Sequence, residues 1–220
     1  MFILVLRQRS IRPLSGEKHE AAGRVMVFNG IKAVVFDLDG TLVDSALDFA
    51  LICDDVGWPR GTPLLEKLAT VEELHERQRI TDIICRHEMR GAELASWMPG
   101  AQQCLEQLSE AGIPLAILTR NMRAATQLTV SRLNIPIQHI VTREDCAAKP
   151  DPEGLLRIAA QLQLDVSEMI YVGDYLFDLQ TAANAGMRSC LYLNEHNSHF
   201  APQASWSFYH FDELSSMLVR

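Results

Sequence analysis

Lys32-Ala33-Val34-Val35-Phe36-Asp37-Leu38-Asp39-Gly40-Thr41-Leu42 is the stretch on which the reading of this chain turns. Its first half is a short apolar, β-branched run without alternation, as expected of a strand covered on both faces. Its second half sets two aspartates one residue apart and follows them with a glycine. Side chains alternate along an extended segment, so Asp37 and Asp39 point the same way and can face one substrate. Gly40 lets the chain turn away sharply while leaving room above the first acid.

Similar apolar runs recur downstream: 113–118, His139-Ile140-Val141, 168–172 and 189–193. Helical patterns lie between them. Residues 101–111 carry Cys104, Leu105 and Leu108 on one face, and 122–133 repeat apolar residues at helical spacing. Asp151-Pro152 opens a helix to about Leu162, and a fourth runs from Tyr175 to Ala185 before Gly186. Trp206–Phe211 reads as a last strand, with Asp212 capping a terminal helix through Leu218. Strands alternating with helices imply an α/β fold, a Rossmann-like parallel sheet with helices on both faces.

Residues 45–97 interrupt the alternation. They contain no good strand, and Thr62-Pro63 and the Thr70/Glu73 pair suit helix starts. Leu74, Ile80, Ile83, Ile84 and His87 mark one face of a long helix, while Gly57-Trp58-Pro59-Arg60-Gly61 is a loop. The expected organisation is an N-terminal extension over 1–29, a core made of 30–44 and 98–220, and a small all-helical cap, 45–97, inserted after the first strand.

Composition narrows the function classes. Hydrophobic residues make up 48% and charged ones 22% of the 220 residues, ordinary for a globular chain able to bury a core. The formal charge of −8 argues against nucleic acid, which needs a basic footprint. No apolar run reaches the roughly 18 residues of a membrane span. The early run Phe2–Leu6 is too short for a signal-peptide core, and Arg7, Arg9 and Arg12 follow it where they should precede it. Five scattered cysteines, none in CxxC spacing, indicate neither zinc nor a disulfide framework. A cytoplasmic monomer or homodimer is expected.

In an open parallel sheet, ligands bind beyond the carboxyl ends of the strands. At those ends stand Asp37 and Asp39, then Thr119-Arg120-Asn121, then Lys149-Pro150, then Gly173-Asp174 with Asp178 one helical turn on. Two aspartates so close resist joint ionisation, and a divalent cation bound by Asp37 and Asp174 relieves the conflict. An oxygen-only site suits Mg²⁺. With charge neutralised, Asp37 can attack phosphorus, Asp39 can act as general acid and base, and Thr119 and Lys149 can hold phosphoryl oxygens.

The segment 36–42, Thr119, Lys149-Pro150 and Gly173-Asp174 with Asp178 resemble the four ordered motifs of the haloacid dehalogenase superfamily, over about 31–193. Within it the chain looks most similar to the phosphoglycolate-phosphatase-like members. The resemblance implies a helical cap, Mg²⁺-dependent hydrolysis of a small phosphorylated metabolite through an aspartyl-phosphate, the Asp39 carbonyl as a further metal ligand, and Asp178 supporting the metal's water shell. The chain departs from that group in a short cap and in Arg120 between Thr119 and Asn121. Arg120, Trp58 and Arg60 are the weaker candidates for substrate contact.

These residues have plainer readings: Asp37 and Asp39 as turn residues ending a strand, Asp174 as a helix cap, Asp178 as an exposed first-turn carboxylate, Lys149 as a solvated loop lysine, and Thr119 or Asn121 as the cap of the following helix. The competing functions are a phosphomutase on the same scaffold and a non-enzymatic receiver-like phosphoacceptor module.

Overall fold

Every residue of the first strand, β1 (Ala33–Phe36), is buried, because the strand is covered from both sides. Val34 and Phe36 face one layer of core while Ala33 and Val35 face another. The structure, a computed structural model, describes residues 28–219. The expected extension over 1–29 therefore lies outside the described residues, apart from its last two. Those two belong with the core: the Phe28 ring meets Trp206 edge-on at 4.9 Å, and the Asn29 carbonyl accepts from Arg188 Nη1 at 2.9 Å.

β1 lies between β4 (Leu115–Leu118) and β6 (Met169–Gly173), with β5 (His139–Val141) outside β4, and β7 (Arg188–Tyr192) and β8 (Trp206–Phe208) outside β6. All five pairings in this six-stranded sheet are parallel. The chain runs outward through β4 and β5, then crosses back to β6 on the other side of β1. Strand order thus reverses beside β1, and a crevice opens there at the carboxyl ends.

Among the core-flanking helices, α4 (Ala101–Glu110) and α8 (Phe211–Leu218) cover one face of the sheet. α6 (Glu153–Leu162) and α7 (Leu176–Ala185) cover the other. α5 (Arg123–Leu133) packs Val130 and Leu133 against the first face. The expected Rossmann-like α/β sheet is what the chain forms. The last strand is shorter than read, ending at Phe208, and His210 rather than Asp212 precedes α8.

Between β1 and α4 stand three helices, α1 (Phe49–Val56), α2 (Leu64–Ala69) and α3 (Leu74–Leu94). Ile52, Val56, Ile80, Ile83 and Ile84 form a separate small core, as the apolar spacing requires, although Leu74, read onto the same face, is exposed. Two details differ from expectation. Two residues, Ser96 and Trp97, form β3 and pair antiparallel with β2 (Val43–Asp44), closing the base of the insert. Glu73, not Thr70, caps α3, accepting from the His75 and Glu76 amides at 3.1 and 2.5 Å.

Candidate active site

The alternation read in the opening motif holds beyond the strand: Phe36 and Leu38 enter the core, while Asp37 and Asp39 line a cavity of about 580 Å³. Thr119, Arg120, Asn121, Lys149, Asp174 and Asp178 line the same cavity from the ends of β4 and β6 and the segment after β5. Its far wall is apolar and comes from the insert, through Leu47, Ile52, Leu65 and Ile84.

Lys149 is the hub. Its Nζ lies 2.6 Å from Asp37 Oδ1, 2.6 Å from Asp178 Oδ1 and 3.0 Å from the Tyr171 hydroxyl. Burial works against its charge, but Asp178 and Asp37 outweigh it and hold the ammonium charged above the usual lysine range. Asp37 is raised above the usual carboxylate range by burial and by the charges of Asp178 and Asp174, with Lys149 opposing.

Asp178 is 2% exposed, so the reading of it as an exposed first-turn carboxylate is wrong. Oδ1 takes Lys149 and Tyr171, and Oδ2 accepts from the Tyr175 amide at 3.0 Å. With both oxygens engaged, it orients the lysine. Gly173 makes this possible, because a Cβ there would fall 2.3 Å from the Asp178 carboxyl carbon.

Asp174 faces Asp37 across the cavity floor. Burial, then the charge of Asp178, push its pKa up to about 7. Thr41 Oγ1 donates to it at 3.3 Å, and Asn197 Nδ2 holds its backbone carbonyl at 2.7 Å. Gly40, at φ 79°, sits so close that a Cβ would meet Asp174 Oδ2 at 2.7 Å. Asp174 does not cap α7; Tyr175 stands in that position.

Asp39 is separated from this group by its environment. Burial raises its pKa to about 6, with Glu88 adding to the rise and Ser45 and Asn121 opposing it through hydrogen bonds. The Asn121 amide donates to Asp39 Oδ2. Neither Thr119 nor Asn121 caps α5. The buried Thr119 hydroxyl accepts from the Asn121 amide at 3.1 Å, and the first amides of the helix go to Glu88 and Glu144.

Trp58 and Arg60 do not line the cavity. Arg60, its side chain 71% exposed, turns to Asp54 at 2.6 Å, and Trp58 packs within the insert with Lys67 5.3 Å above its ring. The two large side chains of the loop are held by their own neighbours, and it is the loop's end, Gly61 with Thr62 and Pro63, that reaches the cavity wall. Arg120 does line it. Sequence reasoning missed Tyr171, Asn197, Glu88 and Arg143, which support the site from inside a strand, a loop and a helix.

Asp37, Asp174 and Asp178 each offer an oxygen within 4.8 Å of the others. Two of these carboxylates are buried and bonded to one ammonium, Asp174 is partly buried beside them, and all the donors are hard oxygens. This set fits a divalent cation of the Mg²⁺ kind.

A family model described as haloacid dehalogenase-like hydrolase matches residues 58–192. This chain belongs to that family. The hydrolase is 34% identical over 176 residues to an uncharacterized hydrolase of Saccharomyces cerevisiae, covering 77% of this chain and 80% of that one. It is 33% identical over 215 residues to a phosphoglycolate phosphatase of Cereibacter sphaeroides, covering 84% and 96%. Among solved structures, a hydrolase from Pseudomonas syringae shares the fold with a TM-score of 0.72 at 20% identity, over 84% of this chain and 96% of that one. The chain is therefore an enzyme, a phosphatase-like hydrolase, and the receiver alternative falls. No helix among the described residues is long and apolar enough to cross a membrane.

Proposed function

We propose that this hydrolase is a Mg²⁺-dependent phosphatase that cleaves a small phosphorylated metabolite through an aspartyl-phosphate on Asp37. The observation that carries the reading is the contact of Lys149 with both Asp37 and Asp178 at 2.6 Å, in a cavity that Asp39 and Asp174 share. The names of relatives such as the phosphoglycolate phosphatase support it.

Asp37 and Asp174 would hold the metal through their carboxylates and Asp39 through its carbonyl. The bound cation supplies charge neutralisation, so that a dianionic phosphoryl group can approach carboxylates. Asp37 then attacks phosphorus, forming an acyl-phosphate bond as the ester P–O bond breaks. Asp39, poised near pH 6, gives a proton to the leaving oxygen and takes one from the water that hydrolyses the acyl phosphate. Lys149 and Thr119 hold phosphoryl oxygens, and Asp178 positions the lysine. Asn121 orients Asp39.

Phosphate release from a panel of phosphorylated metabolites tests the reading. Turnover should need Mg²⁺ and stop in chelator, with Ca²⁺ failing to replace it because its coordination is longer and looser. Full activity in excess chelator, or no release from any ester, overturns the assignment.

A further inference from the structure

Arg120 follows Thr119 directly, yet the steps above make no use of it. Its backbone is fixed by Arg143 Nη1, which donates to its carbonyl at 3.1 Å. Its guanidinium stands 4.7 Å from the Phe177 ring, and Nη2 bonds Glu66 Oε1 at 2.6 Å. Among the described residues Glu66 is its only side-chain hydrogen-bond partner. The cation is thus held in place at the cavity wall, with part of its fork unspent.

The lining is otherwise acidic, neutral polar or apolar. Among the described residues its only other cationic side chain is Lys149, buried deeper and paired with Asp37 and Asp178 at the reacting phosphoryl position. A guanidinium fork matches carboxylate or phosphate geometry with two parallel bonds. The partner it has is itself a carboxylate, from α2 of the insert. That pairing is half-exposed, and pairs of this kind are weakly held. α2 packs Leu64 and Leu68 on the insert core, but Glu66 is on its exposed side, so its side chain can swing away without disturbing that core.

We propose that Arg120 determines specificity by binding a second anionic group on the phosphate ester, with Glu66 as the internal competitor that gives way to it. This rests on the phosphatase reading and adds the substrate class: esters whose leaving group carries a carboxylate or a further phosphate.

Three esters separate the cases: 2-phosphoglycolate, a sugar bisphosphate and the otherwise uncharged ethyl phosphate. For Arg120→Met, the ratio of kcat/KM for the acidic esters to that for ethyl phosphate should fall by about ten- to a hundredfold, chiefly through KM. Arg120→Lys should recover part of it. Whichever acidic ester loses more identifies the anion. Glu66→Gln should move the ratio the other way, up by several-fold, a gain that misfolding cannot mimic. Equal losses on all three esters for Arg120→Met, or a fall for Glu66→Gln, overturns the proposal while leaving the phosphatase standing. Wild-type protein inactive on all three esters with Mg²⁺ overturns both.

Discussion

Asp37 and Asp39 are chemically identical side chains two residues apart, and their surroundings set them to different tasks. Asp37 shares a buried cluster with Lys149, Asp174 and Asp178, whereas Asp39 meets Ser45, Asn121 and the field of Glu88. Two substitutions separate them. Asp37→Asn removes the nucleophile and should reduce turnover to background on every ester. Asp39→Asn removes a proton transfer, a contribution of roughly 10² to 10⁴ in rate. Its loss should be large on an alkyl phosphate, whose alkoxide leaves poorly. On an activated aryl phosphate the phosphoenzyme should form and persist, because the base for the water is also gone. Acid quench and intact mass would detect the added phosphoryl group; wild-type behaviour of Asp39→Asn on the aryl ester refutes the role. The acids, Thr119 and Lys149 were legible because an open parallel sheet gathers chemistry at its strand ends, and each stands just past one. Tyr171 was not, since inside the strand 169–173 it reads as one more apolar core residue. Its hydroxyl meets Lys149 at 3.0 Å, a contact 22 residues apart in sequence that no local pattern announces. Asn197 was missed likewise, its amide spent on two backbone carbonyls, one at the end of the neighbouring strand and one, that of Asp174, distant in sequence.

The insert shows the same division between element and attachment. Its long helix was legible from apolar spacing, but not how it joins the core, because that depends on contacts far apart in sequence. Glu88, mid-helix and nearly buried, accepts from the Met122 amide at 3.0 Å and pairs with Arg143 beyond β5. Arg132 Nη1 bonds the Ala92 carbonyl at 2.8 Å near the helix end. Trp58 and Arg60 were misplaced for the related reason that a glycine-flanked loop gives no sign of which way it folds. Burial raises the Glu88 pKa and Arg143 opposes the rise. Arg143→Ala should then leave an unpaired buried carboxylate, at about 3–5 kcal/mol. A raised folded pKa means the penalty grows as pH rises above the unfolded value. The loss in Tm should therefore be larger at pH 8 than at pH 5, and adding Glu88→Gln should restore part of it at pH 8. A pH-independent loss, or a double variant no better than the single one, would show that Arg143 acts by packing alone.

At the scale of the whole molecule, the site is a concentration of like charge that folding must tolerate. The chain already carries a formal charge of −8, and at the crevice it gathers buried Asp37 and Asp178 and partly buried Asp174 around a single ammonium. The strain falls visibly on Asp174, whose pKa is pushed up to about 7 by burial first and Asp178 second. Without metal, the folded state binds that proton more tightly than the unfolded chain does. The associated stability is fully present below about pH 4 and is lost as pH rises toward 7. Asp37 and Asp39, also raised, act in the same sense. In chelator, then, the melting temperature should fall between pH 5 and pH 8. Asp174→Asn keeps an acceptor for Thr41 but removes the charge, so it should shrink that slope. At pH 8 it should stabilise the metal-free protein by on the order of 1–3 kcal/mol, several degrees in Tm. Mg²⁺ acts on the opposite side, binding the folded state and raising the wild-type Tm with concentration. The variant, one metal ligand short, should gain little. Calorimetry of both proteins, with chelator and with Mg²⁺, reads all four arms at once. An Asp174→Asn protein less stable than wild type in chelator at pH 8, or one that gains as much from Mg²⁺, would refute both the charge strain and its relief by a metal.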